Sequence, residues 1–203
     1  MIDPHRIWRI ATGAALVGAS LAAARGPEVA VREEWVFRAA NGVSDRVRIP
    51  VRTLMQAGTF ATVPAAAALA WAAHRRQLAR SLALGGTAAW LLAKALKPLG
   101  GRERPAGVLA DVRIREHISG DLGWPSGHTA VATSLAAILS SELQPAATPA
   151  LAAAVAAVGF GRMYVGAHLP QDLVGGAGLG LIVASVASPG SRTRASRQVL
   201  AEG

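Results

Sequence analysis

The sequence of 203 residues contains no cysteine and few aromatic residues. The first shortage excludes two kinds of site, and the second argues against a large water-soluble core. Without cysteine the chain has neither disulfides nor thiolate metal sites. Because aromatics make up only 4% of the residues, a large water-soluble core would have to be built mainly from Ala, Leu and Val. Such a core is difficult to pack without voids, whereas small residues let the helices of a membrane bundle approach closely.

Acidic residues and lysine are also scarce. The chain has 21 Lys and Arg residues against 12 Asp and Glu residues, a net charge of +9, and its only lysines are Lys94 and Lys97. The excess of arginine is typical of a G+C-rich genome, and it also suits contact with anionic lipid headgroups or phosphates. No basic stretch is interleaved with stacking aromatics, which argues against nucleic acid as a partner.

Long apolar segments are what the sequence does contain. The second of six such segments has 20 residues without a charge, enough to cross a hydrocarbon core at about 1.5 Å per residue. We therefore predict an all-α protein, an integral-membrane bundle of six transmembrane helices that forms a single domain over residues 1–203. The predicted spans are 10–24, 54–73, 81–99, 128–143, 150–165 and 169–187.

The first of these segments has a second interpretation. It is short and rich in alanine, it follows Arg6 and Arg9, and residues 21–24 resemble a signal-peptidase site, so a cleaved signal peptide would also fit. The apolar segments that come later in the chain favour a retained span.

The segments between the spans differ in character. Charged and apolar residues alternate over 27–53, which predicts an amphipathic helix at the membrane interface, and Asn41-Gly42 within it predicts a turn. We predict a polar loop over 100–124 and a disordered tail over 188–203. In the last span, Gly176 and Gly180 form a G-x-x-x-G pair, which is typical of tight helix packing.

Polar residues beside the spans fall into three short clusters. Three of them, Lys97, Arg104 and Arg162, are cations near hydrocarbon, where a charge is costly unless it faces a cavity or a partner. Their natural common partner is a phosphate, because guanidinium groups bind phosphate oxygens with paired hydrogen bonds. The simpler alternative is that each side chain extends separately to the lipid headgroups.

The second and third clusters place histidines at predicted helix starts. Ser126 is a candidate N-cap, and together with Gly127 it would leave backbone N–H groups that bind an anion beside His128, which can donate a proton. His168 and Asp172 lie four residues apart, so the carboxylate can fix the histidine tautomer and leave the other ring nitrogen free to attack. The alternatives are a plain helix cap and a pair that only stabilises its helix.

Taken together, the clusters resemble the signature of the type 2 phosphatidic acid phosphatase superfamily, which also contains vanadium haloperoxidases and bacterial acid phosphatases. The family pattern is K-x6-R-P, then P-S-G-H, then S-R-x5-H-x3-D. The chain matches it from residue 97 to residue 172, except that Gly161 stands where the family usually has serine. A side-chain hydrogen bond to phosphate would then be missing, and a water molecule or a backbone N–H would replace it.

The resemblance implies a role for each matching residue. His168 would attack phosphorus and form a phosphohistidine, Asp172 would orient its ring, and His128 would protonate the leaving oxygen and then activate water. The phosphoryl oxygens would be held by five residues, namely Lys97, Arg104, Ser126, Gly127 and Arg162. No metal and no cofactor is expected, because the cations supply the positive charge.

The implied substrate is a lipid phosphate or diphosphate in the bilayer of the cell membrane. A polyprenyl-linked phosphate is the first choice, and phosphatidate or phosphatidylglycerophosphate is the alternative. Six spans would place all three clusters at one membrane face, which we expect to be extracytoplasmic. The rival interpretations are a haloperoxidase-like enzyme, which the membrane spans argue against, and a non-catalytic membrane lipid-binding protein, which the complete set of histidines and aspartate argues against.

Overall fold

The computed structural model describes residues 4–188, which form helices and no β-strand. This part of the chain confirms the all-α prediction. Apart from Ser188, the predicted disordered tail lies outside the described residues. The α-helices are α1 (Pro4–Ala24), α2 (Val31–Asn41), α3 (Arg48–Met55), α4 (Thr62–Ala72), α5 (Arg76–Ala95), α6 (Lys97–Gly100), α7 (Pro105–Val108), α8 (Gly127–Ser140), α9 (Thr148–Tyr164) and α10 (Pro170–Ala187).

Several helices have the composition of membrane spans. By length and hydropathy, three stretches of the described chain are sufficient to cross a bilayer, namely α1, Pro145–Tyr164 (a 3-10 turn followed by α9) and α10, and the shorter helices α4 and α8 are also apolar. Helix α5 has 20 residues but carries Arg76, Arg80 and Lys94. The predicted third span continues to residue 99, whereas α5 ends at Ala95. Lys97 therefore lies outside α5, in the separate short helix α6.

The predicted second span is interrupted. Helix α3 ends at Met55, a 3-10 turn covers Gln56–Gly58, and α4 begins only at Thr62, so the expectation of one continuous helix over 54–73 is wrong. The break lies where Gly58 packs so closely that an added Cβ would be 2.6 Å from Val158 and 2.7 Å from the carbonyl oxygen of His128. The hydroxyl of Thr62 donates to the carbonyl of Gln56 at 2.7 Å and stabilises the bend.

The amphipathic segment forms two helices, α2 and α3. Helix α2 ends at Asn41 before Gly42, where the sequence predicts a turn. Its inner face buries Glu33 and Phe37, while Val31 and Trp35 are 83% and 72% exposed. A helix with charge inside and large apolar groups outside is suited to a boundary between protein and lipid.

Helix α10 is the central packing element. Gly180 lies so close to α8 that an added Cβ would be 2.6 Å from the carbonyl oxygen of Ala130, and at Gly176 it would be 2.4 Å from that of Ser126. This contact confirms the close packing predicted from the G-x-x-x-G pair. On another side of α10, Gly178 packs against the backbone of Gly13 in α1. The packing holds the start of α10 beside the start of α8.

The long connection between α7 and α8 lies across this end of the bundle. Its anchor is Arg115, which donates to the carbonyls of Asn41, Val43 and Tyr164 and pairs with Asp45. Because the guanidinium is buried and fully engaged, the connection has a defined path over the ends of α2 and α9.

A glycine substitution tests the packing of α10. We expect Gly180→Ala to lower the thermal unfolding midpoint of the detergent-purified protein, because overpacking at such a contact costs about 1–3 kcal/mol. The matched control is Gly18→Ala in α1, where an added Cβ meets no atom within 4 Å. Equal midpoints for the two variants would contradict close α8–α10 contact.

Candidate active site

The fold brings the three sequence clusters to one end of the bundle. The imidazole of His168 interacts electrostatically with Arg162, Arg104 and Lys97, and His128 interacts with Arg162, Arg104 and His168. These side chains come from five places, namely the start of α6, the residue before α7, the start of α8, the last turn of α9 and the α9–α10 connection. The catalytic roles inferred from the sequence stay predictions, and the geometry shows what such a site offers chemically.

The His168–Asp172 pair is the most enclosed part of the site. Nδ1 of His168 lies 3.3 Å from Oδ2 of Asp172, and the same oxygen accepts the backbone N–H of Leu169 at 2.9 Å. Pro170 occupies the first turn of α10, where its missing N–H costs nothing. The carboxylate therefore caps the helix and contacts one histidine nitrogen at once, which restrains the ring.

Burial controls the protonation of His168. Loss of water, together with the positive charges of Arg162, Arg104 and Lys97, lowers the pKa of His168 well below its usual range. The imidazole is thus neutral at neutral pH, and a neutral imidazole has the nitrogen lone pair that a nucleophile requires.

Backbone carbonyls of the 119–123 segment hold two of the cations. Arg104 donates to the carbonyls of Gly120 at 2.6 Å, Ser119 at 3.0 Å and Ala167 at 2.8 Å. Lys97 donates to the carbonyl of Leu122 at 2.7 Å. Burial, reinforced by the charge of Arg104, lowers the pKa of Lys97 to about 8. The two groups are therefore fixed in place before any ligand arrives.

Arg162 has an acidic partner that sequence reasoning missed. Its Nη1 pairs with the carboxylate of Glu116 and lies 3.5 Å from Sδ of Met55. Its Nε is buried and has no hydrogen-bond partner among the described residues. Glu116 is part of none of the motifs identified in the sequence. It reaches Arg162 of α9 because of the path that the α7–α8 connection takes. The neighbouring His117 is exposed.

The start of α8 is capped as the sequence indicates. Oγ of Ser126 accepts the backbone N–H of Thr129 at 3.4 Å and its hydroxyl at 3.2 Å. Ser126 is fully buried, and its own hydroxyl proton is not used in these two contacts. Within residues 4–188, an added Cβ at Gly127 would have one neighbour closer than 4 Å, the Cβ of Ala93 at 3.8 Å, so the backbone here is open to close approach. Phosphate binding by either residue stays a prediction.

The glycine that departs from the family pattern has a structural explanation. A Cβ at Gly161 would lie 3.0 Å from Cβ and 3.2 Å from Cγ of Met55. The space that a serine side chain would need is therefore occupied by the methionine. Met55 also contacts the guanidinium of Arg162. The methionine therefore lies beside this guanidinium, where the family pattern would have the serine side chain.

A second buried pair was also missed by sequence reasoning. Arg102 forms a bidentate ion pair with Glu33 of α2, and its Nη1 lies 3.8 Å from Oδ1 of Asp172. Only Glu103 separates Arg102 from Arg104 in the chain, and the motif that contains Arg104 does not include Arg102. The pair joins the amphipathic segment to the candidate site.

Comparisons with known proteins bear on the family and the fold of the chain. The family model described as PAP2 superfamily matches residues 77–195. Among solved structures, the fold resembles the crystal structure of Aquifex aeolicus LpxE, with a TM-score of 0.71 and 23% identity over 79% of this chain and 97% of that chain. It also resembles a transmembrane PAP2 type phosphatidylglycerolphosphate phosphatase from Bacillus subtilis, with a TM-score of 0.70 and 19% identity over 94% and 97%. A comparison with curated proteins found no match.

The pKa of Lys97 leads to a test by pH. Above pH 8 the ammonium loses its proton, and the site loses one of its three positive charges. We expect the affinity for inorganic phosphate, measured by calorimetry in detergent, to fall about tenfold between pH 7.5 and pH 9.5, which is about 1.4 kcal/mol of lost attraction. Lys97→Arg keeps its charge over this range, so its affinity should stay nearly constant. The same decline in both proteins would contradict a role for Lys97 in anion binding.

Proposed function

The chain belongs to the PAP2 superfamily, and from this premise we propose that it is a membrane phosphatase that hydrolyses a lipid phosphomonoester or diphosphate through a phosphohistidine at His168. The observation that supports this most strongly is a neutral, buried imidazole beside Asp172 and within electrostatic reach of three cations. This combination suits attack on a phosphoryl group, because the cations bind its oxygens while the nitrogen reaches phosphorus.

The proposed reaction has two steps. In the first, the free ring nitrogen of His168 bonds to phosphorus and the bond from phosphorus to the lipid oxygen breaks. His128, which takes up a proton from solvent when the anionic substrate binds beside it, gives that proton to the leaving oxygen. In the second, His128 takes a proton from water, the resulting hydroxide attacks phosphorus, and the P–N bond breaks to release inorganic phosphate. Asp172 keeps the ring oriented and offsets the positive charge that the ring gains on phosphorylation.

The cations supply the electrostatic part of catalysis in this proposal. Lys97, Arg104 and Arg162 would contact the equatorial oxygens, with the hydroxyl of Ser126 and the N–H of Gly127 as further donors. Because these groups are held by the protein before substrate binds, they need little reorganisation at the transition state. Glu116 would remain beside Arg162 and share its guanidinium with the phosphate. We expect the reaction to need no metal.

We propose a lipid with a long apolar tail as the substrate. Helices α2 and α3 contribute Glu33 and Met55 to contacts near the site. The same helices expose large apolar side chains, namely Val31, Trp35, Ile49 and Leu54, and this surface suits lateral entry from the bilayer. A polyprenyl-linked phosphate or diphosphate is our first candidate. A phosphatidylglycerophosphate or phosphatidate is the second, supported by the fold that the chain shares with the phosphatidylglycerolphosphate phosphatase of Bacillus subtilis.

For the topology we propose six spans in the cell membrane with the site outside the cytoplasm. The spans are α1, α3 with α4, α5, α8, α9 and α10. The end of the bundle opposite the site carries Arg9, which donates to Ser140, and Arg75, which pairs with Glu142. Arg6, Arg76 and Arg80 lie at the same end, but the connections at the site end carry more lysine and arginine residues. The positive-inside rule therefore favours neither orientation, and the proposed side follows from the family resemblance.

Substitution of the two histidines tests the mechanism. We expect His168→Ala to lower phosphate release from lipid substrates about a thousandfold or more, because no other group can take the place of the nucleophile. His128→Ala should also be nearly inactive and should accumulate a phosphoenzyme that is labile to acid. A metal chelator should leave the wild-type rate unchanged. The matched control is His117→Ala, an exposed histidine of the neighbouring connection. Undiminished turnover by His168→Ala would disprove the proposal.

The same assay ranks the substrates. Purified wild-type protein and His168→Ala are compared on four lipids in one detergent: a polyprenyl diphosphate, a polyprenyl-linked sugar phosphate, phosphatidate and phosphatidylglycerophosphate. The first candidate requires the highest kcat/KM on one of the polyprenyl lipids. The highest value on a glycerophospholipid would favour the second candidate and leave the mechanism unchanged.

The absence of cysteine makes the proposed topology directly testable. Two single-cysteine variants are made in the full chain, His117→Cys near the site and Ala73→Cys in the connection at the opposite end, both at exposed positions. In intact cells a membrane-impermeant maleimide should label position 117 and not position 73, and both should react after lysis. The reverse pattern would place the site in the cytoplasm.

A further inference from the structure

A buried chain of charges links the amphipathic segment to the catalytic pair. Arg102 donates from Nη1 to Oε1 of Glu33 at 2.8 Å and from Nη2 to Oε2 at 2.7 Å. Both side chains are about 6% exposed. Glu33 lies in α2, and Arg102 lies between α6 and α7, so the two come from distant parts of the chain.

The same two residues reach the start of α10. Oε1 of Glu33 accepts the backbone N–H of Gln171 at 2.9 Å, and Nη1 of Arg102 lies 3.8 Å from Oδ1 of Asp172. Within residues 4–188, Oδ1 is a buried oxygen that has no hydrogen bond. The other oxygen, Oδ2, contacts His168 and the N–H of Leu169. Arg102 is thus the positive group next to the carboxylate oxygen that faces away from His168.

We propose that Arg102, held by Glu33, is a positioning residue that keeps the carboxylate of Asp172 charged and turned toward His168. The proposal rests on the function proposed above. A carboxylate without water is stable as an ion only if cations or donors surround it. With Arg102 on one oxygen and Leu169 on the other, the plane of the carboxylate is fixed, and Oδ2 stays directed at the imidazole.

The geometry of the pair explains why arginine and glutamate occupy these positions. A planar guanidinium bound at two points by a carboxylate cannot rotate, and a lysine would form only a point contact. Glu33 also supplies the negative charge that lets Arg102, a fourth cation, lie deep beside a site that already holds Lys97, Arg104 and Arg162. The glutamate lies outside the residues 77–195 that match the family model. The amphipathic segment would therefore contribute to catalysis as well as to membrane contact.

The competing explanation is that the ion pair only docks α2 on the bundle. The two explanations differ when both charges are removed together. Replacement of a buried ion pair by apolar residues of similar volume is often neutral or stabilising, whereas removal of one partner leaves a buried charge unpaired. A double apolar variant should therefore fold well, and its turnover then reports on Asp172 alone.

The experiment compares Arg102→Met, Arg102→Lys and the double variant Glu33→Met with Arg102→Met in the full chain. The probe is dioctanoyl phosphatidate in detergent, and kcat, KM and the thermal midpoint are measured. The control, Arg75→Met, breaks the Arg75–Glu142 pair at the other end of the bundle. We expect Arg102→Met to lower kcat about 10- to 100-fold, as loss of an outer partner of a functional histidine typically does, with KM within about twofold.

The double variant decides between the explanations. Our proposal requires that it regain the wild-type thermal midpoint while kcat stays low, that Arg102→Lys be intermediate in kcat, and that Arg75→Met keep the wild-type kcat. Wild-type kcat in the double variant would overturn the proposal and leave a docking role. A raised KM with unchanged kcat would also overturn it. Because His168→Ala is assayed in parallel, full activity of that variant would instead disprove the proposed function.

Discussion

Mutual repulsion among cations in a poorly hydrated space is the constraint on which the rest of this structure depends. Lys97, Arg104 and Arg162 lie near one another, and each would cost much free energy if it lacked a partner. Backbone carbonyl dipoles and one carboxylate offset this cost. Carbonyls of the 119–123 segment accept from Lys97 and Arg104, and Glu116 pairs with Arg162. A phosphate would neutralise the residual positive charge, so the charge that is costly to bury is also the charge that would attract an anion.

The packing of the helices serves this electrostatic arrangement. Close approach of α10 to α8 at Gly176 and Gly180 sets the start of each helix beside the other, and this places the Asp172 end of α10 near His128. A wider separation would let water enter between the helices. Water would screen the cations and hydrate His168, whose low pKa depends on burial as well as on the neighbouring charges. The small residues that allow membrane helices to pack closely thus help to keep the imidazole of His168 neutral.

The N-terminal part of the chain completes the enclosure. Helices α2 and α3 lie outside the region that matches the family model, yet Met55 contacts Arg162 and Glu33 holds Arg102 beside Asp172. Both contacts join a segment with exposed apolar side chains to the charged interior. The proposed route of lipid entry and the proposed positioning of the catalytic groups therefore both depend on helices α2 and α3.

How far the sequence alone leads can be judged from particular residues. Apolar segment length and local spacing were enough to predict the helical fold, the Ser126 cap and the His168–Asp172 contact, because each depends on neighbours within about one helical turn. The break at Gly58, the occupation of the serine position by Met55 and the partners of Arg102 and Arg162 were not predictable. Each arises between segments far apart in the chain, where a contact depends on how helices pack and not on spacing. The sequence by itself determined which groups carry charge and which segments are apolar, whereas the tertiary structure decided which charges meet, since only packing brings distant side chains within a few ångströms.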